Sequence, residues 1–131
     1  MKVVLDASAA IEVVLMRRMG ASLAATLRDA DAVLAPELFV AEVVNTIWKY
    51  HRFEGLSLDV CDRALDTGLG LVDVLVPCRE LASEAFLLAR IARRPAYDMF
   101  YLALARSRDA LLLTTDAGLK KEAARQGVRM A

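Results

Sequence analysis

Histidine and cysteine, the usual ligands of zinc, are scarce in this sequence. Its 131 residues include one histidine, His51, and two cysteines, Cys61 and Cys78. Zinc sites are built from several such side chains, so a zinc protein is not expected. The cysteine spacing matches no metal-binding motif, and two cysteines give little support for a disulfide framework. Both cysteines are therefore predicted to be reduced structural thiols.

Long hydrophobic runs are also absent. The longest stretch without a charged side chain covers residues 19–27, which is far short of the ~20 apolar residues that a membrane-spanning helix needs. Asp6 and Glu12 interrupt the apolar N-terminal region, and no signal-cleavage pattern follows. We therefore expect a cytoplasmic protein.

Neither sign of charge is in excess. Lysine plus arginine and aspartate plus glutamate both number 17, so the formal net charge is zero. General nucleic-acid binders usually carry a basic excess, so a nucleic acid would have to be held by local basic patches and a bound cation. The candidate phosphate-binding residues, each of which has ordinary surface charge as its alternative, are Lys49, Arg52, Arg93, Arg94, Lys120 and Lys121.

Hydrophobic residues, by contrast, are abundant. They make up 57% of the chain, against a usual ~45–50%, so elements are buried on every side or part of the surface is covered by another chain. The length fits a single domain over residues 1–131.

Short apolar runs alternate with amphipathic stretches along the chain. Continuous apolar runs are typical of a parallel sheet that is covered on both faces. The predicted strands are residues 2–5, 32–35, 71–76 and 110–114, with 128–130 as a short edge strand. The predicted helices are residues 8–17, 21–29, 37–53, 58–68, 79–93, 97–108 and 119–126. This order predicts an α/β fold, a three-layer α/β/α sandwich around a mostly parallel sheet of four to five strands.

Two acidic residues directly follow predicted strands. Asp6 comes after the first strand, and Asp116 comes after the strand that ends near Thr114. Ligands of open parallel sheets bind beyond the carboxyl ends of the strands. Each acid has an alternative role as the N-cap of the next helix, although neither begins a capping box.

A third acid, Asp98, opens a helix that is apolar around its whole circumference. Residues 99–105 carry no charge, so this helix is predicted to be buried. A helix N-terminus stabilises an anion by only ~0.3–1 kcal/mol, which is small beside the cost of desolvating a carboxylate. A metal ion or a cationic partner would resolve the mismatch, and a helix cap alone is the alternative.

Glu42 shares one face of its predicted helix with Asn45 and Lys49. The apolar Val40, Val43, Val44, Ile47 and Trp48 occupy the other face. An ordinary solvated face explains Glu42 by itself.

If all four acids converge, carboxylates ~5 Å apart repel by roughly 3 kcal/mol at an effective dielectric of 20, so their pKa values rise or they bind a hard cation. Oxygen ligands alone favour magnesium or manganese, and the matching chemistry is phosphodiester hydrolysis.

The chain resembles the PIN-domain ribonucleases and, within them, the VapC toxins of toxin–antitoxin pairs. The segments that carry the resemblance are VLDAS at residues 4–8, APEL at 35–38 leading to EVVN at 42–45, YDMFYLALA at 97–105, and LTTD at 113–116. Together they span nearly the whole chain in the family's order. The resemblance implies a PIN-like fold and a magnesium-dependent endoribonuclease, with manganese as a substitute ion.

Roles for individual residues also follow from the resemblance. Asp6 and Asp98 would be the main magnesium ligands, while Glu42 and Asp116 would complete the acidic pocket and orient water. Ser8, Asn45 and Thr114 would fix the carboxylates by hydrogen bonds. Their alternatives are helix capping for Ser8, a polar helix face for Asn45 and a strand-end hydroxyl for Thr114.

The resemblance further implies an RNA substrate, a small antitoxin protein laid across the fold, and a homodimer. Two other functions compete with the nuclease. One is a catalytically silent module of the same fold that binds RNA or a protein partner. The other is a phosphoacceptor receiver domain, but that fold requires paired acids after its first strand, whereas Asp6 stands alone.

Overall fold

The computed structural model describes all 131 residues. Four strands and seven helices follow one another along the chain. The strands are β1 (Lys2–Leu5), β2 (Ala32–Pro36), β3 (Val74–Val76) and β4 (Leu111–Leu113). The helices are α1 (Ala7–Val14), α2 (Gly20–Arg28), α3 (Leu38–Glu54), α4 (Leu58–Gly70), α5 (Cys78–Ala92), α6 (Ala96–Arg108) and α7 (Ala117–Arg125).

The four strands form one parallel sheet in the order β3-β2-β1-β4. Val4 of β1 pairs with Leu34 of β2 on one side and with Leu112 of β4 on the other. Leu34 in turn pairs with Val74 of β3. All carboxyl ends therefore lie along the same edge of the sheet.

The connections set the layers. The chain moves from β1 to β2 to β3 in one direction and then crosses back past β1 to β4. Because parallel crossovers are right-handed, α1–α4 lie on one face of the sheet and α5–α6 on the other. Helix α6 contacts β1, β2 and β4 and packs against α5 and α7. The predicted α/β/α sandwich is confirmed.

All seven predicted helices are present within a few residues of their expected bounds, and two predicted strands differ. Residues 71 and 72 do not belong to β3, because α4 continues to Gly70 and the strand begins only after Asp73. The Asp73 carboxylate accepts from the Val33 N–H at 2.8 Å, which fixes the start of the strand. The predicted edge strand at 128–130 is reduced to a single bridge between Leu112 and Met130, since the Val128 N–H bonds back to Ala123 at the end of α7.

The hydrophobic core contains 32 buried residues and surrounds the sheet. Helix α6 runs through it, with Met99 and every residue from Tyr101 to Ala105 buried. The burial predicted for this helix is therefore confirmed. None of the helices combines the length and the apolar character that crossing a membrane requires.

Candidate active site

The candidate site lies where the strand order reverses, at the carboxyl ends of the neighbouring strands β1 and β4. Open parallel sheets place their ligands in this crevice. Asp6 follows β1, and its backbone N–H donates to the Leu113 carbonyl of β4 at 2.9 Å. Asp116 begins α7 shortly after β4. The topology alone therefore brings these two acids to one edge of the sheet.

Two hydroxyl groups hold the Asp6 carboxylate. Ser8 Oγ and Thr114 Oγ1 each donate to Asp6 Oδ2 at 2.7 Å, which are the contacts that the resemblance implied for these two residues. The hydroxyls are themselves held by backbone N–H groups, Thr115 donating to Ser8 at 3.1 Å and Asp116 donating to Thr114 at 3.0 Å. This relay fixes the orientation of a carboxylate that is almost fully buried.

Burial raises the pKa of Asp6 above its ordinary value, because the charged form loses its hydration. The hydrogen bonds from Thr114 and Ser8 oppose that rise, and the nearby charge of Asp98 adds to it. Although Asp6 occupies the N-cap position of α1, its side chain makes no capping hydrogen bond. Its carboxylate is thus turned toward the two hydroxyls and the crevice.

Glu42 reaches the same crevice from α3. Its Oε1 accepts a hydrogen bond of 2.6 Å from the hydroxyl of Tyr101, a fully buried residue of α6. The pKa of Glu42 is raised, first by burial and then by the charges of Asp6 and Asp98, while the tyrosine hydrogen bond lowers it. Burial likewise raises the pKa of Tyr101, so its hydroxyl stays a proton donor to Glu42.

Asp98 and Asp116 are linked by one arginine. Arg94 Nη2 lies 3.0 Å from Asp98 Oδ2 and 3.8 Å from Asp116 Oδ1. The pKa of Asp98 is raised by burial and by the charge of Asp116, and Arg94 opposes both. Asp116 also caps α7, with Oδ1 accepting from the Leu119 N–H at 2.8 Å. Asp116 therefore has the capping role that the sequence left open, and it also faces the site.

All four acids line one cavity of about 380 Å³. Other residues that line this cavity were not predicted from the sequence. They are Ala7, Ile11, Glu12, Arg17, Thr46, Tyr50 and Thr115. Helical periodicity could have identified two of them, because residues 46 and 50 lie four and eight positions after Glu42 on the same face of α3.

Glu12 contributes a fifth carboxylate to the rim of this cavity. Its Oε2 is buried without a hydrogen-bond partner and lies 3.7 Å from Arg17 Nε. The Arg17 guanidinium in turn stacks over the Tyr50 ring at 5.0 Å. Five carboxylates and one arginine, Arg17, therefore line the cavity.

Not every residue expected at the site reaches it. Asn45 is exposed and does not line the cavity, because Thr46 rather than Asn45 follows Glu42 on the inner face of α3. Among the six basic candidates for phosphate contact, Arg94 alone forms an ion pair with a carboxylate of the cavity. Arg93, its neighbour, is exposed.

A family comparison decides the class to which this fold and cavity belong. The model of the PIN domain family matches residues 3–124, which include all four acids. The chain belongs to the PIN domain family. No curated protein matches the sequence significantly.

Solved structures share the PIN fold of this chain. PAE2754 from Pyrobaculum aerophilum superposes with a TM-score of 0.72 at 22% identity, over 93% of this chain and 84% of its own. A structure described as VapBC2 from Rickettsia felis bound to a DNA fragment from their promoter gives a TM-score of 0.68 at 14% identity, over 100% of this chain and 98% of the matched chain. At these identities the likeness concerns the fold.

The donor chemistry of the PIN-domain cavity fits a hard divalent cation, because carboxylate and hydroxyl oxygens line it without any histidine or cysteine. The carboxylates are not gathered tightly, however. No group of three or more acidic, histidine or cysteine side chains lies close enough to hold a metal ion. Asp98 is instead paired with Arg94.

Proposed function

We propose that this PIN domain is a magnesium-dependent endoribonuclease that hydrolyses RNA phosphodiesters, with manganese as a substitute ion. We further propose that it is the toxin of a toxin–antitoxin pair, that it acts in the cytoplasm, and that residues 1–131 work as one nuclease domain. The observation that carries the proposal is the cavity at the carboxyl edge of the sheet, where Asp6, Glu42, Asp98 and Asp116 come together from four separate elements.

The charge of this cavity supports cation binding. Three of its carboxyl groups have raised pKa values, each through burial first and through neighbouring carboxylates next. Such a cluster is stabilised in its ionised form by a doubly charged ion. Asp6 and Asp98 are the proposed ligands. A bound magnesium ion would stabilise the charge that develops on the phosphate and lower the pKa of a bound water.

The other residues of the site would position these groups. Ser8 and Thr114 hold the Asp6 carboxylate in one orientation through hydrogen bonds to Oδ2. Tyr101 fixes Glu42 through its hydroxyl, and Glu42 and Asp116 are proposed to orient water. Asn45 has no place in this arrangement, since its side chain is exposed outside the cavity.

Charge-removing variants test the nuclease directly. We expect Asp6→Asn and Asp98→Asn to lower the rate of RNA cleavage at least ~100-fold, because each removes a proposed ligand while keeping the side-chain shape. Asp66→Asn is the matched control, since Asp66 is an exposed residue of α4 outside the cavity. Cleavage of a defined RNA, followed with Mg²⁺ and with EDTA, is the measurement.

Two results would contradict the proposal. The first is RNA cleavage that persists in EDTA, and the second is cleavage by Asp6→Asn at the rate of the Asp66→Asn control.

A thermal-shift titration with Mg²⁺ or Mn²⁺ separates the nuclease from a catalytically silent module, because a ligand at 100 times its Kd stabilises a protein by ~2.7 kcal/mol. The silent module would show no such shift.

The proposed antitoxin would occupy a groove next to the acidic cavity. A pocket of about 600 Å³ lies between the ends of α1 and α3 and the side of α4, and most of its lining residues are apolar. Arg17 and Tyr50 line both this groove and the acidic cavity, so one bound chain could cover both. The VapBC2 likeness supports a partner of this kind, and a neighbouring reading frame for a small DNA-binding protein is the expected genomic sign.

A homodimer is supported by apolar side chains on the opposite face. Phe86, Leu87 and Ile91 of α5 are exposed, as is Tyr97 at the start of α6. Exposed apolar patches of this kind mark association surfaces. The molar mass in solution, measured by light scattering, would decide between the dimer and the monomer.

A further inference from the structure

Arg94 pairs with two carboxylates of the acidic cavity. It follows the last turn of α5 and is only partly exposed. Its Nη2 donates to Asp98 Oδ2 at 3.0 Å and lies 3.8 Å from Asp116 Oδ1. One guanidinium group, with a single positive charge, is therefore shared between two carboxylates of the cavity, one of which is a proposed metal ligand.

The Arg94 guanidinium packs against α7 at Gly118. A Cβ atom at Gly118 would lie 2.3 Å from Arg94 Nη1 and 2.9 Å from both Cζ and Nη2. The guanidinium thus lies directly on the backbone of Gly118, at a distance that any side chain would prevent. Because Gly118 has no positive φ, it is not required by the backbone conformation of the first turn of α7, and the space it leaves is filled by Arg94.

The electrostatics give this arrangement a consequence for cation binding. Arg94 lies within ion-pair distance of both Asp98 and Asp116, so its charge offsets the repulsion between the two acids. A divalent cation at Asp98 would offset the same repulsion. The arginine and the cation would then compete for the same Asp98 carboxylate.

We propose that Arg94 is a resident counter-ion that competes with the divalent metal for Asp98 and Asp116. Metal binding then requires the guanidinium to move away from Gly118. Arg94 thereby lowers the affinity of the site for the metal ion. This inference rests on the proposed metal-dependent function. In this role Arg94 competes with the metal ion, whereas the sequence had suggested a contact to phosphate.

Two variants remove the competitor in different ways. Arg94→Gln deletes its charge. Gly118→Ala keeps the charge but displaces the guanidinium, which is the flexible end of its side chain, and alanine is well tolerated within a helix. Arg93→Gln is the matched control, because it removes an equal charge from the adjacent exposed position.

The measurement is Mn²⁺ binding to the purified, metal-free chain by isothermal titration calorimetry, without RNA. We expect Arg94→Gln and Gly118→Ala to bind Mn²⁺ about two- to five-fold more tightly than the wild type, as expected when a partly exposed ion pair is lost. Arg93→Gln should bind as the wild type does. In the absence of metal, Arg94→Gln should melt at a lower temperature than the wild type, and saturating Mn²⁺ should close that gap.

The outcomes separate the two proposals. Wild-type Mn²⁺ binding with no gain in either variant would overturn the competition, and the nuclease proposal would stand. A gain in Arg94→Gln that Arg93→Gln shares, without a gain in Gly118→Ala, would show only a long-range charge effect and would also overturn it. No Mn²⁺ binding by the wild type or any variant would overturn both proposals.

Discussion

At the scale of single residues, hydroxyl groups decide how a buried carboxylate is tolerated. Asp6 loses almost all contact with water, and its two hydroxyl donors replace part of that hydration. Both donors bind the same oxygen, Oδ2, and are held in turn by backbone N–H groups. The Asp6 carboxylate is thus oriented by a chain of contacts that begins in the backbone after β4.

Replacing Thr114 tests this relay. Thr114→Val keeps the side-chain shape but removes the donor to Asp6 and the acceptor for the Asp116 N–H. We expect a loss of ~1–3 kcal/mol in the free energy of unfolding at neutral pH, the usual effect of leaving buried polar groups unpaired. Urea denaturation measures it.

Thr114→Ser is the matched control for that change. It keeps the hydroxyl and removes one buried methyl group, so it should cost no more than ~1 kcal/mol. If the valine and serine variants are equally stable, the hydroxyl of Thr114 does not stabilise the buried carboxylate.

At the scale of elements, the junction between α5 and α6 positions Arg94 and Asp98. Helix α5 ends at Ala92, and the next residue, Arg93, adopts a left-handed conformation with φ of 54°. That turn directs the chain through Pro95 into α6, whose first turn carries Asp98. Arg94 lies between the two helices, so the shape of this turn fixes the Arg94–Asp98 pair.

The left-handed turn predicts a stabilising substitution. Glycine adopts positive φ without the steric cost that a Cβ atom imposes, so Arg93→Gly should raise the free energy of unfolding by ~0.5–1 kcal/mol. Arg93→Ala removes the same charge but keeps the Cβ atom. Thermal and urea unfolding of the two variants, compared with the wild type, should show a gain for glycine alone, and an equal effect of both would contradict a backbone origin.

At the scale of the whole molecule, the buried acids of the cavity lower the stability of the fold at neutral pH. The carboxyl groups of Asp6, Glu42 and Asp98 all have raised pKa values. Below the unfolded pKa of ~4, both states hold these protons and no penalty applies. As pH rises through the folded pKa values, the unfolded state has already released its protons, so the contribution of these groups to stability is lost.

This linkage predicts how Asp6→Asn behaves with pH in the absence of metal. Asparagine cannot ionise, so the variant should gain stability relative to the wild type as pH rises from about 4 to 7. Urea unfolding at several pH values measures the difference. Millimolar Mg²⁺ or Mn²⁺ should stabilise the wild type at pH 7 and leave Asp6→Asn nearly unchanged, whereas a pH-independent difference between the two proteins would contradict the linkage.

Much of the fold follows from local patterns in the sequence. Apolar runs located β1, β2 and β4, and the uncharged stretch at 99–105 identified the buried helix α6. Local patterns did not predict the structure correctly where a segment could join either the sheet or the end of a helix. Residues 71 and 72 are as apolar as a strand, but they close the end of α4, and the N–H of Val128 bonds to α7 instead of the sheet.

By itself, the sequence determined which acids follow strands and which acid opens a buried helix, because both properties depend on neighbours within a few positions. The tertiary structure alone decided which side chains meet across elements. It brought Tyr101 to Glu42, seated Arg94 on Gly118 between Asp98 and Asp116, and left Asn45 outside the cavity. The Tyr101–Glu42 and Arg94–Gly118 contacts join residues far apart in the chain, so no local pattern specifies whether they form.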